Sequence, residues 1–137
     1  MLGRFTPQAF ALLRIMSGVM FFLHGTQKLL GWPPMPKMPG GGGLPTIAIV
    51  AGVLELVLGA AITLGLFGDW AAFLASGEMA VAFFMGHVAR SHDIVPLTNQ
   101  GEDAVLYCFI FLFIAAHGSG IWSIDSVIRR GRGRVSA

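Results

Sequence analysis

The chain has 137 residues, 55% of them hydrophobic and 12% charged, with a formal net charge of +2 and a mean hydropathy of +0.74. That balance excludes an ordinary soluble domain and fits a membrane protein of one domain, residues 1–137. A single cysteine, Cys108, excludes dithiol chemistry within the chain, and no GxGxxG, Walker loop, CxxCH or HExxH is present to carry a common cofactor.

In chain order, four apolar segments reach roughly 20 residues, enough to carry a helix across about 30 Å of hydrocarbon: Ala9–Leu30, Pro45–Phe67, Trp70–Ala89 and Asp103–Trp122. None alternates as a barrel strand does. The first is too long for a secretory signal, carries Arg14 in its apolar part and lacks a small-residue cleavage site, so a retained span is expected. The expected fold is all-α, an integral membrane four-helix up-down bundle. Arg4 lies at one terminus, and Arg129, Arg130, Arg132 and Arg134 lie in the tail 126–137. The positive-inside rule therefore predicts both termini to be cytoplasmic.

The connections are then Gly31–Leu44 and Arg90–Glu102 outside, with Gly68 and Asp69 inside. So short an inner loop makes the second and third helices antiparallel neighbours. The proline and glycine run Pro33–Leu44 is expected as a flexible linker more than as a lid. The basic tail is expected to touch anionic lipid; no folded basic surface or stacking aromatics point to nucleic acid.

Chemistry must come from intramembrane polar groups. Glu55 and Glu78 fall near the centres of their segments, where a charge costs roughly 2.5–3.5 kcal/mol, so both are expected to face inward. Arg14 lies about 8 Å to the cytoplasmic side of the middle of the first segment, within a side chain's reach, which predicts an Arg14, Glu55, Glu78 cluster. Arg14, Gly18, Phe21, Gly25 and Lys28 share one stripe of the first segment, and Gly52, Glu55 and Gly59 share one of the second. Towards the outer side, His24, Lys28, His87, Arg90, His92, Asp93, Glu102 and Asp103 outline a polar cup. Such a cup could hold a quinone headgroup, with histidine supplying hydrogen bonds and a proton route. Plainer alternatives stand beside this: Lys28 snorkelling to the interface, core histidines, and Arg14 as a packing lock. No metal is expected, because a di-metal bundle wants Glu-x-x-His on two helices, and Glu78 and His87 are nine residues apart.

RIMSGVMFFLHGTQKLLG (Arg14 to Gly31), ELVLGAAITLG (Glu55 to Gly65) and NQGEDAVLYCFIFLFIAAHGSGIWSID (Asn99 to Asp125) resemble, in order and spacing, the DoxX family. The resemblance implies a small four-helix protein of the bacterial inner membrane, associated with redox complexes and soluble partners. Its polar positions fall on Arg14, His24, Lys28, Glu55, Glu102 and Asp125. Two functions follow. One is a membrane subunit in which His24, Lys28, His87 and Glu102 bind a quinone headgroup, and Glu55 and Glu78 accept protons under the control of Arg14. The other is a noncatalytic scaffold whose buried charges lock the bundle and whose loops recruit partners. In the first, a partner subunit would supply flavin, haem or metal.

Overall fold

The computed structural model describes residues 2–34 and 45–135, the last four of them by backbone alone. Most of the proline and glycine run, from residue 35 to Leu44, and the side chains of Arg132 and Arg134 lie outside the described residues. A 3-10 turn, Gly3–Phe5, leads into α1 (Thr6–Leu30), followed by α2 (Thr46–Leu64) and α3 (Gly68–Val81). α3 runs on through a wide π-helical stretch, Ala82–Val88, into α4 (Ala89–Ser91); α5 (Pro96–Asn99), α6 (Glu102–His117) and α7 (Ile124–Val135) follow. No strand occurs among the described residues.

Local sequence sets the ends of these helices. Pro7 sits in the first turn of α1, where a missing N–H costs nothing. α2 closes with Gly65 in the left-handed conformation (φ 63°); the Gly65 amide donates to the Ile62 carbonyl and the Leu66 amide to that of Ala61, the Schellman pattern that satisfies the last turn. The connection between α2 and α3 is therefore Gly65 to Phe67, and Gly68 and Asp69, expected as the loop, instead open α3. Asp69, like Glu102 and Asp103 in α6, places negative charge at a helix N-terminus, where the backbone dipoles favour it.

Among the described residues, three helical stretches are long and apolar enough to cross a membrane: Gly3–Leu30, Thr46–Leu64 and Gly68–Ser91. The fourth apolar segment, expected as helix to Trp122, stops at His117 after 16 residues, a rise of about 24 Å against the roughly 30 Å of hydrocarbon. Gly118, Gly120 and Trp122 all take positive φ, turning the chain back across the end of α2.

The packing is that of a membrane protein. Met16, Met20, Val57, Phe73, Leu74, Phe109 and Phe113 are exposed, whereas Arg14, Ser17, Glu55 and Ser76 are buried. Small residues let α1 and α2 approach backbone to backbone in antiparallel register, Gly18 beside Gly59 and Thr63, Gly25 beside Gly52 and Leu56. α3 and α6 form the other antiparallel pair, with the Ser76 hydroxyl donating to the Cys108 carbonyl at 2.8 Å. Phe21, Ile62, Ala75, Phe111 and Ile114 fill the space between the pairs.

At the end where α2 stops, Arg14 is fully buried, at 0% exposure. The expected cluster with Glu55 and Glu78 does not form. Its Nη1 instead donates to the Ile62 and Thr63 carbonyls, both at 2.7 Å, and its Nη2 to those of Trp122 at 2.7 Å and Ile121 at 3.3 Å. The reason is proximity: the carbonyls of the last turn of α2, where that of Ile62 also receives the Gly65 amide, and those of the turn after α6 surround the guanidinium at its own depth. Asp125 completes the closure from the other sign of charge. Its carboxylate accepts from the Phe67 amide (3.0 Å), the Gly68 amide (3.1 Å) and the Ser119 hydroxyl (2.5 Å), capping α3, while its own amide donates to the Gly65 carbonyl.

Two outcomes test this construction. A Cβ on Gly59 would stand 2.5 Å from the backbone nitrogen of Phe22, whereas one on Gly77 would meet nothing within 4 Å. Thermal unfolding in detergent should therefore show Gly59→Ala destabilised by about 1–3 kcal/mol and Gly77→Ala unchanged or slightly stabilised; equal effects would contradict the close α1–α2 contact. The second outcome concerns pH. Burial opposes ionisation of Asp125, but the hydrogen bonds from Ser119, Gly68 and Phe67, with nearby Arg129, outweigh it and hold the carboxyl below its ordinary value of 3.8. A depressed carboxyl stabilises the fold above its unfolded value and loses that contribution as pH falls through the folded one. The unfolding midpoint of the native chain should thus fall below about pH 4 more steeply than that of Asp125→Asn, which starts lower at neutral pH.

Candidate functional site

One level of the molecule gathers ionisable groups from four helices. Glu55 lies nine residues before the end of α2 and Glu78 ten residues after the start of α3. Tyr107 lies ten residues before the end of α6. All three are thus about 13–15 Å from the Arg14 end of the bundle, just beyond the aromatic contact of Phe21 with Phe111. From α1, Lys28 reaches the same layer. Gly52 gives its stem room, since the Lys28 Cβ lies only 3.0 Å from where a Gly52 side chain would begin, and one turn further along α2 the ammonium meets Glu55 Oε1 at 2.5 Å.

Lys28 therefore does not snorkel to the interface; its side chain is 26% exposed, and its partner Glu55 is 3% exposed. In hydrocarbon, an ion pair with a fixed partner costs less than two separate charges. Glu55 Oε2, both carboxyl oxygens of Glu78 and the Tyr107 hydroxyl are buried without a hydrogen-bond partner among the described residues. Glu78 lies close enough to feel the charges of Glu55 and Lys28, and Tyr107 those of Glu55 and Asp103. Two carboxyls thus share one cation: Lys28 offsets one negative charge, and a proton on either carboxyl would offset the other.

The remaining expected site residues have separate surroundings. His24 stands edge-on to Tyr107, ring centroids 6.1 Å apart, and with Met20, Leu23, Gln27 and Pro33 lines an open depression of about 200 Å³. That volume admits a ring, not a whole drug-sized ligand. His87, within the π-helical stretch, holds the Asn99 carbonyl at 3.1 Å through Nδ1, and Glu102 is exposed in the first turn of α6. Asp93 binds the loop through the Thr98 hydroxyl and the Val95 amide; these bonds hold its carboxyl below the ordinary range. Among the described residues, no three of His, Cys, Asp and Glu converge as a metal site would require.

Two residues escaped the sequence reasoning. Tyr107 is the sole tyrosine of the chain; its hydroxyl amid apolar neighbours, at the depth of the two glutamates, was the signal available. Asn99, buried at 7% exposure, donates to the Asp93 carbonyl and accepts from the Gly101 amide. It carried no helical periodicity to mark it.

Long apolar helices enclosing a layer of buried charge define an α-helical membrane protein. Residues 9–88 match the model of the DoxX family, more than half of the chain, and the protein belongs to that family. A protein of Haemophilus influenzae (strain ATCC 51907 / DSM 11121 / KW20 / Rd) bearing the name "Uncharacterized protein" is 41% identical over 128 residues, 91% of this chain and 94% of its own. One of Bacillus subtilis (strain 168), named "Putative oxidoreductase CatD", is 28% identical over 129 residues, 92% of each chain. No solved structure matches.

Removing one member of the pair should cost more than removing both. Lys28→Met leaves Glu55 buried beside an apolar chain, and because Lys28 is partly exposed the loss should lie at the low end of the roughly 3–5 kcal/mol seen for broken buried pairs. Lys28→Met with Glu55→Gln should recover most of it. A double-mutant cycle on unfolding in detergent reads the difference, and additive losses would show that the two side chains do not interact.

Proposed function

We propose that this protein is a membrane subunit of a redox complex in the bacterial inner membrane, and that the layer of Lys28, Glu55, Glu78 and Tyr107 handles protons for it. The observation that carries this is the set of buried, unpartnered carboxyl oxygens on Glu55 and Glu78, served by one lysine. Charge balance across the layer changes by one proton, and a low dielectric magnifies the effect of that proton on its neighbours. The name of the Bacillus subtilis relative, "Putative oxidoreductase CatD", supports a redox setting.

In this proposal the chain is one domain with four spans and both termini cytoplasmic; α6 together with the turn to Trp122 serves as the fourth. The arginines near the two termini support that orientation. A quinone headgroup would approach along the depression at His24 and Gln27, with Tyr107 between His24 and the carboxyls. Lys28 acts as counter-ion to Glu55, while His87 and Glu102 belong to the rim. Arg14 positions the helix ends. Flavin, haem or metal would come from a partner subunit.

A second function, a noncatalytic scaffold whose outer loops recruit a partner, is favoured by one observation: every bond of Arg14 and Asp125 closes the fold. Extraction of the complex from its own membrane in mild detergent, followed by native mass spectrometry and turnover assays, distinguishes the two. The proton-handling subunit predicts co-extracted quinone or redox partner. It also predicts an intact complex whose turnover falls about tenfold or more in Glu55→Gln and Glu78→Gln, in the range typical of a lost acid–base group, but not in Asp69→Asn. Full turnover in the doubly substituted glutamate variant, with the complex intact, would leave the scaffold.

A further inference from the structure

We propose that the notch between the end of α2 and α7 binds one anionic phospholipid, with the Arg130 guanidinium holding its phosphate. This notch lies at the Arg14 end of the bundle, away from the Lys28 layer, and has a volume of about 620 Å³, within the range of small-molecule sites. Ser123, Ser126, Val127 and Arg130 line it from one side at i, i+3, i+4, i+7, a single stripe of helix. Leu64 and Ile121 line it from the other, with Trp122 at the mouth.

The polar and apolar halves are divided as an amphiphile requires. Leu64, Ile121 and Val127 offer an acyl chain the continuation of the lipid-facing surface. The serine hydroxyls are already spent as donors: Ser123 donates to the Gly120 carbonyl and Ser126 to that of Ser123. Recognition of an anion therefore falls to Arg130, which makes no ion pair among the described residues. Asp125, the nearest acid in sequence, is held by Ser119 and the Phe67 and Gly68 amides. The buried Arg14 lies directly behind the notch, bonded to the carbonyls of Ile121 and Trp122. Positive charge consequently exceeds negative charge here, which favours an anionic headgroup over a zwitterionic one.

Depth agrees with this assignment. The notch opens where two membrane-crossing helices end, at the level of lipid phosphates. Trp122 is 58% exposed, as befits the interfacial belt. α7 leaves Ile124, Val127 and Ile128 exposed at i, i+3, i+4, so an apolar strip runs beside Arg129 and Arg130, the form of a helix lying in the bilayer interface.

The test is native mass spectrometry of the full chain, delipidated in detergent and titrated with phosphatidylglycerol or phosphatidylcholine of matched acyl chains. One phosphatidylglycerol should be retained, about fivefold or more tighter than phosphatidylcholine, the effect of roughly one interfacial arginine. Arg130→Gln should abolish that preference and Arg4→Gln should keep it. Equal retention of the two lipids, or a preference that survives Arg130→Gln, would overturn the proposal. So would displacement of the lipid by millimolar inorganic phosphate, which would assign the notch to the free anion.

Discussion

The guanidinium of Arg14 is the point on which the architecture turns. It is a permanent charge with no exposure to water, and no carboxylate among the described residues lies within bonding distance of it. Four carbonyl oxygens do, two from the last turn of α2 and two from the turn after α6. A helix end leaves its last carbonyls short of donors and a membrane offers no water to supply them; the Gly65 amide reaches the Ile62 carbonyl, and the guanidinium supplies that oxygen's second bond together with those of the others. One planar side chain with paired N–H groups thus ties α1 to the end of α2 and to the turn after α6. Asp125 then fastens the start of α3 to the same place.

With that end closed, the geometry of the opposite half follows from small residues. Glycines on α1 and α2 bring the two backbones into contact, and the same closeness carries Lys28 over Gly52 to Glu55. Van der Waals packing, not a hydrophobic drive, holds helices together in lipid. The chain therefore spends its small residues inside and its leucines and phenylalanines outside. The polar layer survives at its depth because apolar packing of Phe21, Phe111, Ile62 and Ile114 separates it from the Arg14 end.

The two charged regions differ in what they leave unmet. Around Arg14 and Asp125 nearly every donor and acceptor is matched; only the Arg14 Nε lacks a partner among the described residues. Around Glu55 and Glu78, three carboxyl oxygens and the Tyr107 hydroxyl remain unmatched. Buried polar groups are costly when unsatisfied, yet the fold satisfies one cluster and leaves the other open. The first holds helix ends in position; the second keeps buried oxygens without a partner among the described residues, the observation from which the proposed proton handling is argued.

Much of this was legible from residue order alone. Hydropathy over whole segments identified long apolar helices, because crossing hydrocarbon demands length and composition that few other folds need. Helical spacing placed Arg14, Gly18, Phe21, Gly25 and Lys28 on one stripe and Glu55 between Gly52 and Gly59, and those faces are the ones buried. The family resemblance rested on the same ordered residues. Partner choice was not legible. Periodicity states which face a side chain leaves from but not where a long arginine or lysine ends, and both Arg14 and Lys28 end on groups that only the register of α1 against α2 and the turn after α6 bring near. The turn at Gly65 and the stop at His117 likewise depend on left-handed glycines whose conformation is decided by the carbonyls and the carboxylate around them. Sequence determined the faces and the medium, since these depend on local spacing and composition; tertiary structure decided the pairings, since these depend on where separate helices come to rest.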